Sequence, residues 1–358
     1  MSVRSLRWGI LGIDRALLKG VHNPDAGEGL GIWSTLAFGS PSAVLVRVMG
    51  RQPVDWRAHR RSRGRRDRRR LWQGARSGRR RGAVAWWNDA VEIVSFDDKG
   101  AVARAVEIIR SGDVVGAHFG TVFGLIVDGA HAGVAERIMA IKGAGRGFKP
   151  LGICVGAQEL IDLIDGASLP PVVQRLLGTP WFAAELACMI AVRAPAHPTN
   201  RIPGHLISQN QGRHWVQVFD PRRMPGTFGF IEALWRAGVQ WVAATSMNEA
   251  GSTEIVEIED AAEFCRRHRL PLLFESSAPH NASGSLPILE LNEEGLRLDR
   301  QGIIAPADLE RAVGLPIDAS APLPAHFPPM QVPAGLLDDL SPAAATRTLV
   351  GMLYPEAE

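Results

Sequence analysis

Cysteine is scarce in this chain. The three present, Cys154, Cys188 and Cys265, are far apart, odd in number and outside any CxxC pairing. That excludes a disulfide framework and a cysteine zinc site, and predicts three buried thiols. Long apolar runs are missing as well: none reaches the eighteen residues of a membrane span, and the N-terminus lacks the pattern of a signal peptide. The expectation is a cytoplasmic protein with no membrane partner. No HExxH or H-x-H occurs, and Cys265 and His268 in "CRRHRLP" are too few for a closed metal site. The serines and His280 of "ESSAPHNASG" come without a GxSxG elbow, so a hydrolase triad lacks support. "WGILGIDRALLKG" has glycines but no GxGxxG after a strand, which removes a dinucleotide fold.

What is present is a 358-residue chain, 46% apolar and 22% charged, long enough for one large domain or two ordinary ones. Its net charge of +3 is unevenly spread. From Arg57 to Arg81 there are thirteen arginines and one acid, Asp67, so this block carries +12 and the rest of the chain −9. The block has no apolar period, and self-repulsion keeps such a stretch extended unless a polyanion neutralises it. Three readings stay open for it: a nucleic-acid tether, a plain solvated tail, or GC-rich DNA read in the wrong frame or from the wrong start. Arginine outnumbers lysine 36 to 4, in keeping with GC-rich codons. Residues 1–90 are accordingly expected to be poorly organised, disordered or a frame artefact.

Organised periodicity runs over residues 91–315, where helical and strand patterns alternate as in mixed α/β folds. "AVARAVEIIRSG" places Val102, Val106 and Ile109 on one side of a helix that stops at Gly112. Val114 to His118 reads as a strand running into a glycine-punctuated loop. The next helix, with Val134, Ile138 and Ile141 at helical spacing, carries Lys142 at its end. "LGICV" follows as a buried strand. Further helices are predicted at "AQELIDLIDGA", "FGFIEALWRAG" and "IEDAAEFCRRH", and strands at "ACMIAVRAP", "WVAATS", "PLLFESS" and "LPILEL". Residues 316–358 begin as a proline-rich linker and end in a short helix, Pro342 to Leu353, capped by Ser341.

Between that second helix and "LGICV" lies "KGAGRGFKP", three cations and three glycines in nine positions, a composition suited to phosphate. It is not a Walker A loop. Lys149 is followed by proline rather than a hydroxyl residue, and the order is helix, loop, strand. Lys142, Arg146 and Lys149 also suit a plain solvated helix end, where cations meet the helix dipole. Thr121 reads equally as a turn residue, and Ser246 with Asn248 as a strand-to-loop cap.

Five segments fall in one order: Thr121-Val122-Phe123-Gly124-Leu125; Lys142, Arg146, Lys149, Pro150 and Leu151; Arg193 with Pro195; Ser246-Met247-Asn248-Glu249-Ala250-Gly251; and Arg300-Gln301-Gly302-Ile303-Ile304. In this order and spacing the chain resembles the YrdC-like family, whose best-known members are threonylcarbamoyl-AMP synthases. The resemblance implies an α/β fold, a twisted open mixed sheet with flanking helices and a deep cationic cleft. It implies joining of threonine, bicarbonate and ATP into L-threonylcarbamoyl-AMP and pyrophosphate with Mg²⁺, for threonylcarbamoyladenosine in tRNA. A tRNA, or tRNA-modification proteins, would then be partners. Lys142 and Arg146, with Thr121 at the amino acid, would be the catalytic residues; Lys149, Ser246, Asn248, Arg193, Ser285 and Arg300 would hold nucleotide. Such chemistry is largely positioning and charge neutralisation. His118-Phe119-Gly120 stands where the family has Pro-Thr-acid, and Phe123 replaces its tyrosine. A non-catalytic RNA- or nucleotide-binding member, or an enzyme handling carbamoyl-adenylate with another acceptor, fits those departures.

Overall fold

The computed structural model describes residues 91–143, 145, 149–210, 212–224, 226–276 and 281–355. The expectations for residues 1–90, the arginine block included, and for Arg146 lie outside the described residues.

The described chain starts with strand β1 (Glu92–Ser95), helix α1 (Lys99–Arg110), β2 (Val115–His118), β3 (Phe123–Asp128), α2 (Val134–Lys142) and β4 (Gly152–Cys154). Helices α3 (Ala157–Leu163), α4 (Pro171–Leu177) and α5 (Pro180–Ala184) lead to β5 (Ala191–Pro195), β6 (Ile207–Asn210) and β7 (Arg213–Phe219). Then come α6 (Thr227–Arg236), β8 (Val242–Ser246), α7 (Ile258–His268), β9 (Leu272–Glu275), β10 (Ile288–Asn292) and β11 (Gly295–Arg300). Helices α8 (Pro306–Val313) and α9 (Pro342–Leu353) close the list of elements.

The eleven strands among the described residues join one sheet in the order β1-β9-β2-β3-β8-β4-β7-β5-β10-β11, with β6 paired to β7. Parallel pairs (β1/β9, β2/β9, β4/β7, β5/β10) mix with antiparallel ones, so this is a mixed α/β fold on an open sheet with flanking helices.

Side-chain alternation sorts the sheet's faces. Ala243, Ile153, Val218, Val192, Leu289 and Leu298 are successive cross-strand partners, and none is more than 2% exposed. This row lies in the core. One residue along, the partners are Gln217, Arg193, Glu290 and Arg297, a polar row on the opposite face. Ser246 and Gly124, paired across β8 and β3, share that second face through Ala244 and Gly152. The sequence's small and polar residues at every second position are therefore what give the sheet a non-apolar face.

The helices follow local rules. Asp98 caps α1, accepting from Gly100 N at 2.8 Å and Ala101 N at 3.0 Å, and Ala101, Ala105 and Ile109 bury one stripe. Gly143 stops α2 with φ +78°, leaving Lys142 as its last residue. Ser341 caps α9 as expected, its hydroxyl accepting from Ala344 N at 3.3 Å. All three cysteines are buried, which pushes the Cys188 and Cys265 thiols up to about 12 and Cys154 higher still.

Some sequence expectations shift. The strand read in "ACMIAVRAP" begins only at Ala191, because Leu186–Cys188 make a 3-10 turn. The glycine-punctuated loop after His118 is short: β3 starts at Phe123 and pairs with both β2 and β8. Its glycine lowered the apparent strand propensity, and pairing on both sides overrode that. The proline-rich segment lies along β11, with Leu298 N donating to Asp318 O, Gln301 N to Leu323 O, and Met330 N to Ile303 O. No described helix is long and apolar enough to cross a membrane.

Candidate functional site

Lys142 is the centre of the first cluster. It is 4% exposed, and its ammonium donates to Ser246 O at 2.5 Å and to Asn248 Oδ1 at 2.8 Å. Both acceptors are neutral oxygens, which orient an ammonium without cancelling its charge. Ser246 Oγ also donates to Asn248 Oδ1 at 2.7 Å, and Asn248 Nδ2 donates to Ser252 O at 2.6 Å. The backbone repeats the link, Ala250 N donating to Lys142 O at 3.0 Å. Three residues expected at a common site, more than a hundred positions apart for the lysine, are thus brought together by the end of α2 and the end of β8.

Arginines define a second cluster. Arg193 pairs with Asp299 at 2.7 Å and donates to Gln217 Oε1 at 3.3 Å, while its Nε is buried without a hydrogen-bond partner. Arg300 donates from Nη2 to Leu286 O at 2.8 Å, and its Nε is likewise buried and unpartnered. Burial lowers the Arg300 pKa below its ordinary value, with Glu254 pulling it back up and Arg193 adding to the drop. Ser285, one residue before Leu286, donates its hydroxyl to Glu254 Oε1 at 2.9 Å. Two buried guanidinium N–H groups without acceptors make this end of the site under-satisfied.

Thr121 ties the loop before β3 to the loop that carries Ser285. Its hydroxyl donates to Gly284 O at 2.7 Å, and Gly284 N donates back to Thr121 O at 2.7 Å. At 1% exposure it clamps two loops, which differs from the substrate-facing role expected of it. The clamp needs Gly284, whose φ is +120°. Lys149 is exposed just before β4. Phe119 and Phe123 are 6% and 2% exposed, and the Phe119 ring meets Phe219 edge-on at 5.9 Å, over Gly124.

Glu254 and His326 escaped sequence reasoning. Glu254 stands six residues beyond Asn248 in the same loop, and His326 lies in the proline-rich segment. Neither shows a motif of its own; only the fold places them beside Ser285.

No family model matches the chain, and no curated protein matches it. Among solved structures it is similar to P. abyssi Sua5, at 18% identity and TM-score 0.49, over 63% of this chain and 65% of that one. A second structure of that protein, in complex with L-threonine, gives 19% and 0.47 over 64% of each chain. E. coli YciO gives 16% and 0.46, over 60% of this chain and 96% of its own. The chain therefore spans just under two thirds of the Sua5 length.

Proposed function

We propose that this chain is an ATP-dependent enzyme that forms a carbamoyl-type adenylate, L-threonylcarbamoyl-AMP from threonine, bicarbonate and ATP. The observation that carries the reading is the convergence of Lys142, Ser246 and Asn248 on one hydrogen-bonded point. An ammonium held by neutral oxygens is a preorganised charge for a polyphosphate. Arg300, Arg193 and Ser285 would take the remainder of the nucleotide. Arg146 and Lys149 would extend the cationic stretch, as the sequence resemblance implies.

Among the described residues no three His, Cys, Asp or Glu side chains gather as a metal cage. Mg²⁺ would accordingly arrive on the ATP phosphates, keeping most of its water. The chain's own residues orient the triphosphate so that a carbamate oxygen approaches the α-phosphorus, and they stabilise the charge that develops there. A tRNA-modifying system would consume the product.

A second reading keeps nucleotide binding and drops turnover. The burial of Phe119 favours it, since its ring fills the space over Gly124, the cross-strand partner of Ser246. One experiment separates them: ATP, Mg²⁺ and bicarbonate with and without threonine, following pyrophosphate and adenylate by mass spectrometry. Threonine-dependent pyrophosphate with threonylcarbamoyl-AMP supports the synthase. ATP binding with no adenylate supports the binding protein, and absence of ATP binding overturns both.

A further inference from the structure

Glu254 is a carboxylate in the wrong place for a solvated surface group. It is 8% exposed, and it sits between two donors: Ser285 Oγ on one oxygen at 2.9 Å and His326 Nδ1 on the other at 2.5 Å. Burial raises its pKa, but donation from His326 and then Ser285 more than offsets that, so the group lies below the ordinary value and is ionised. An ionised carboxylate only accepts, hence Nδ1 of His326 carries the hydrogen. In the neutral ring the other nitrogen, Nε2, then holds a lone pair.

Exposure divides the dyad unequally. The His326 side chain is 42% exposed and that of Glu254 only 7%. Nδ1 is therefore anchored inward while the rest of the ring is open to solutes. Its segment is fixed on both sides: Leu323 N donates to Asp299 O at 2.9 Å before it, and after it Phe327 packs against Gly284, where an added Cβ would meet its ring carbon at 3.1 Å. The charged groups facing the pair are Arg300, which feels the Glu254 carboxylate, and beyond it Asp299 and Arg193. A histidine oriented by a buried carboxylate, next to the residues proposed to hold nucleotide, is the arrangement of a general base.

We propose that His326 is a catalytic base for the acceptor amine, and that Glu254 is the positioning residue that fixes its tautomer; this rests on the adenylate-forming reading above. The amine nitrogen attacks the carbon of carbon dioxide, an N–C bond forms, one C–O π pair moves onto oxygen, and the N–H proton passes to Nε2. Dehydration of bicarbonate to carbon dioxide consumes one proton and releases water, so amine and bicarbonate give carbamate and water with nothing left over. The carbamate is then the nucleophile toward ATP.

The test is His326→Asn in the full chain, because the asparagine amide still donates to Glu254 from near the Nδ1 position and has no basic nitrogen. Threonine-dependent adenylate formation is expected to fall by roughly 10² to 10⁴, the range for loss of a general base, with ATP affinity and melting temperature unchanged. The acid limb of the wild-type pH–rate profile should disappear. Glu254→Gln should slow turnover and alter the same limb while ATP still binds. Wild-type turnover in His326→Asn overturns the proposal, as does a loss that tracks ATP affinity and melting temperature, which would make His326 a fastening of the segment only. If the wild-type chain forms no adenylate with threonine, the functional reading itself fails, before any variant is compared, and this base falls with it.

Discussion

Replacing Lys142 by methionine tests the proposed phosphate role of its cluster with little change of volume. The ammonium's hydrogen bonds to Ser246 O at 2.5 Å and Asn248 Oδ1 at 2.8 Å disappear. Hydrogen bonds from charged donors contribute about 1.5–3 kcal/mol each, but removing the lysine also removes the cost of holding a charge at 4% exposure. Asn248 Oδ1 keeps the Ser246 hydroxyl at 2.7 Å, so only the Ser246 carbonyl loses a named donor. The net destabilisation should be about 1 kcal/mol. The effect on ligand is larger. A unit charge about 4 Å from a phosphate at an effective dielectric near 20 is worth about 4 kcal/mol, part of which returns as desolvation. A net loss of about 2–3 kcal/mol corresponds to roughly 30- to 150-fold weaker ATP binding. Calorimetric titration with Mg-ATP, beside a thermal melt, reads both quantities. Affinity within about threefold of wild type, with the fold intact, would refute the assignment of phosphate to this cluster.

Other outcomes follow from the same geometry. Gly124→Ala puts a Cβ 2.6 Å from Phe119 Cε2 and 3.1 Å from Thr245 O, so it should destabilise by about 1–3 kcal/mol in urea unfolding; adding Phe119→Ala should recover part of that by removing the ring. Leu349, fully buried on α9 beside Ala345 and Leu353, should cost about 2–5 kcal/mol as Leu349→Ala, and a surface-like change below about 0.5 kcal/mol would mean that α9 is not docked. Glu254, with its pKa depressed below 4.5, contributes stability that is present above 4.5 and lost as pH falls through the lower folded value. Melting temperatures of wild type and Glu254→Gln should therefore converge on acidification below about pH 4.5; a constant difference would show that the carboxylate is not ionised in the fold.

Much of the candidate site was legible because its chemistry is local in type. "KGAGRGFKP" is picked out by its charge and glycine, a composition suited to phosphate, and the helix that delivers Lys142 shows itself by Val134, Ile138 and Ile141, all buried as the period requires. The serine and asparagine of "TSMNEAG" could be picked out as hydrogen-bonding residues at a strand end. Thr121 shows the limit, since a threonine in a loop looks the same whether its hydroxyl meets a substrate or, as here, a carbonyl 163 residues away. Strand β3 was hidden by its glycine. Strand β7, whose Arg213 and His214 are exposed while Val216 and Val218 are buried, owes its place to partners on both sides.

By itself the sequence determined the fold class, the positions of the strongly amphipathic helices and the burial of the cysteines, because each depends on periodicity and hydrophobicity over a few neighbouring residues. Tertiary structure alone decided which polar groups share a point. It set Lys142 on Ser246 and Asn248, locked Thr121 to Gly284, left two arginine Nε–H groups buried without acceptors, and joined Glu254 to a histidine 72 positions later. Such pairings depend on strand register and loop closure across the whole sheet, and no local pattern encodes them.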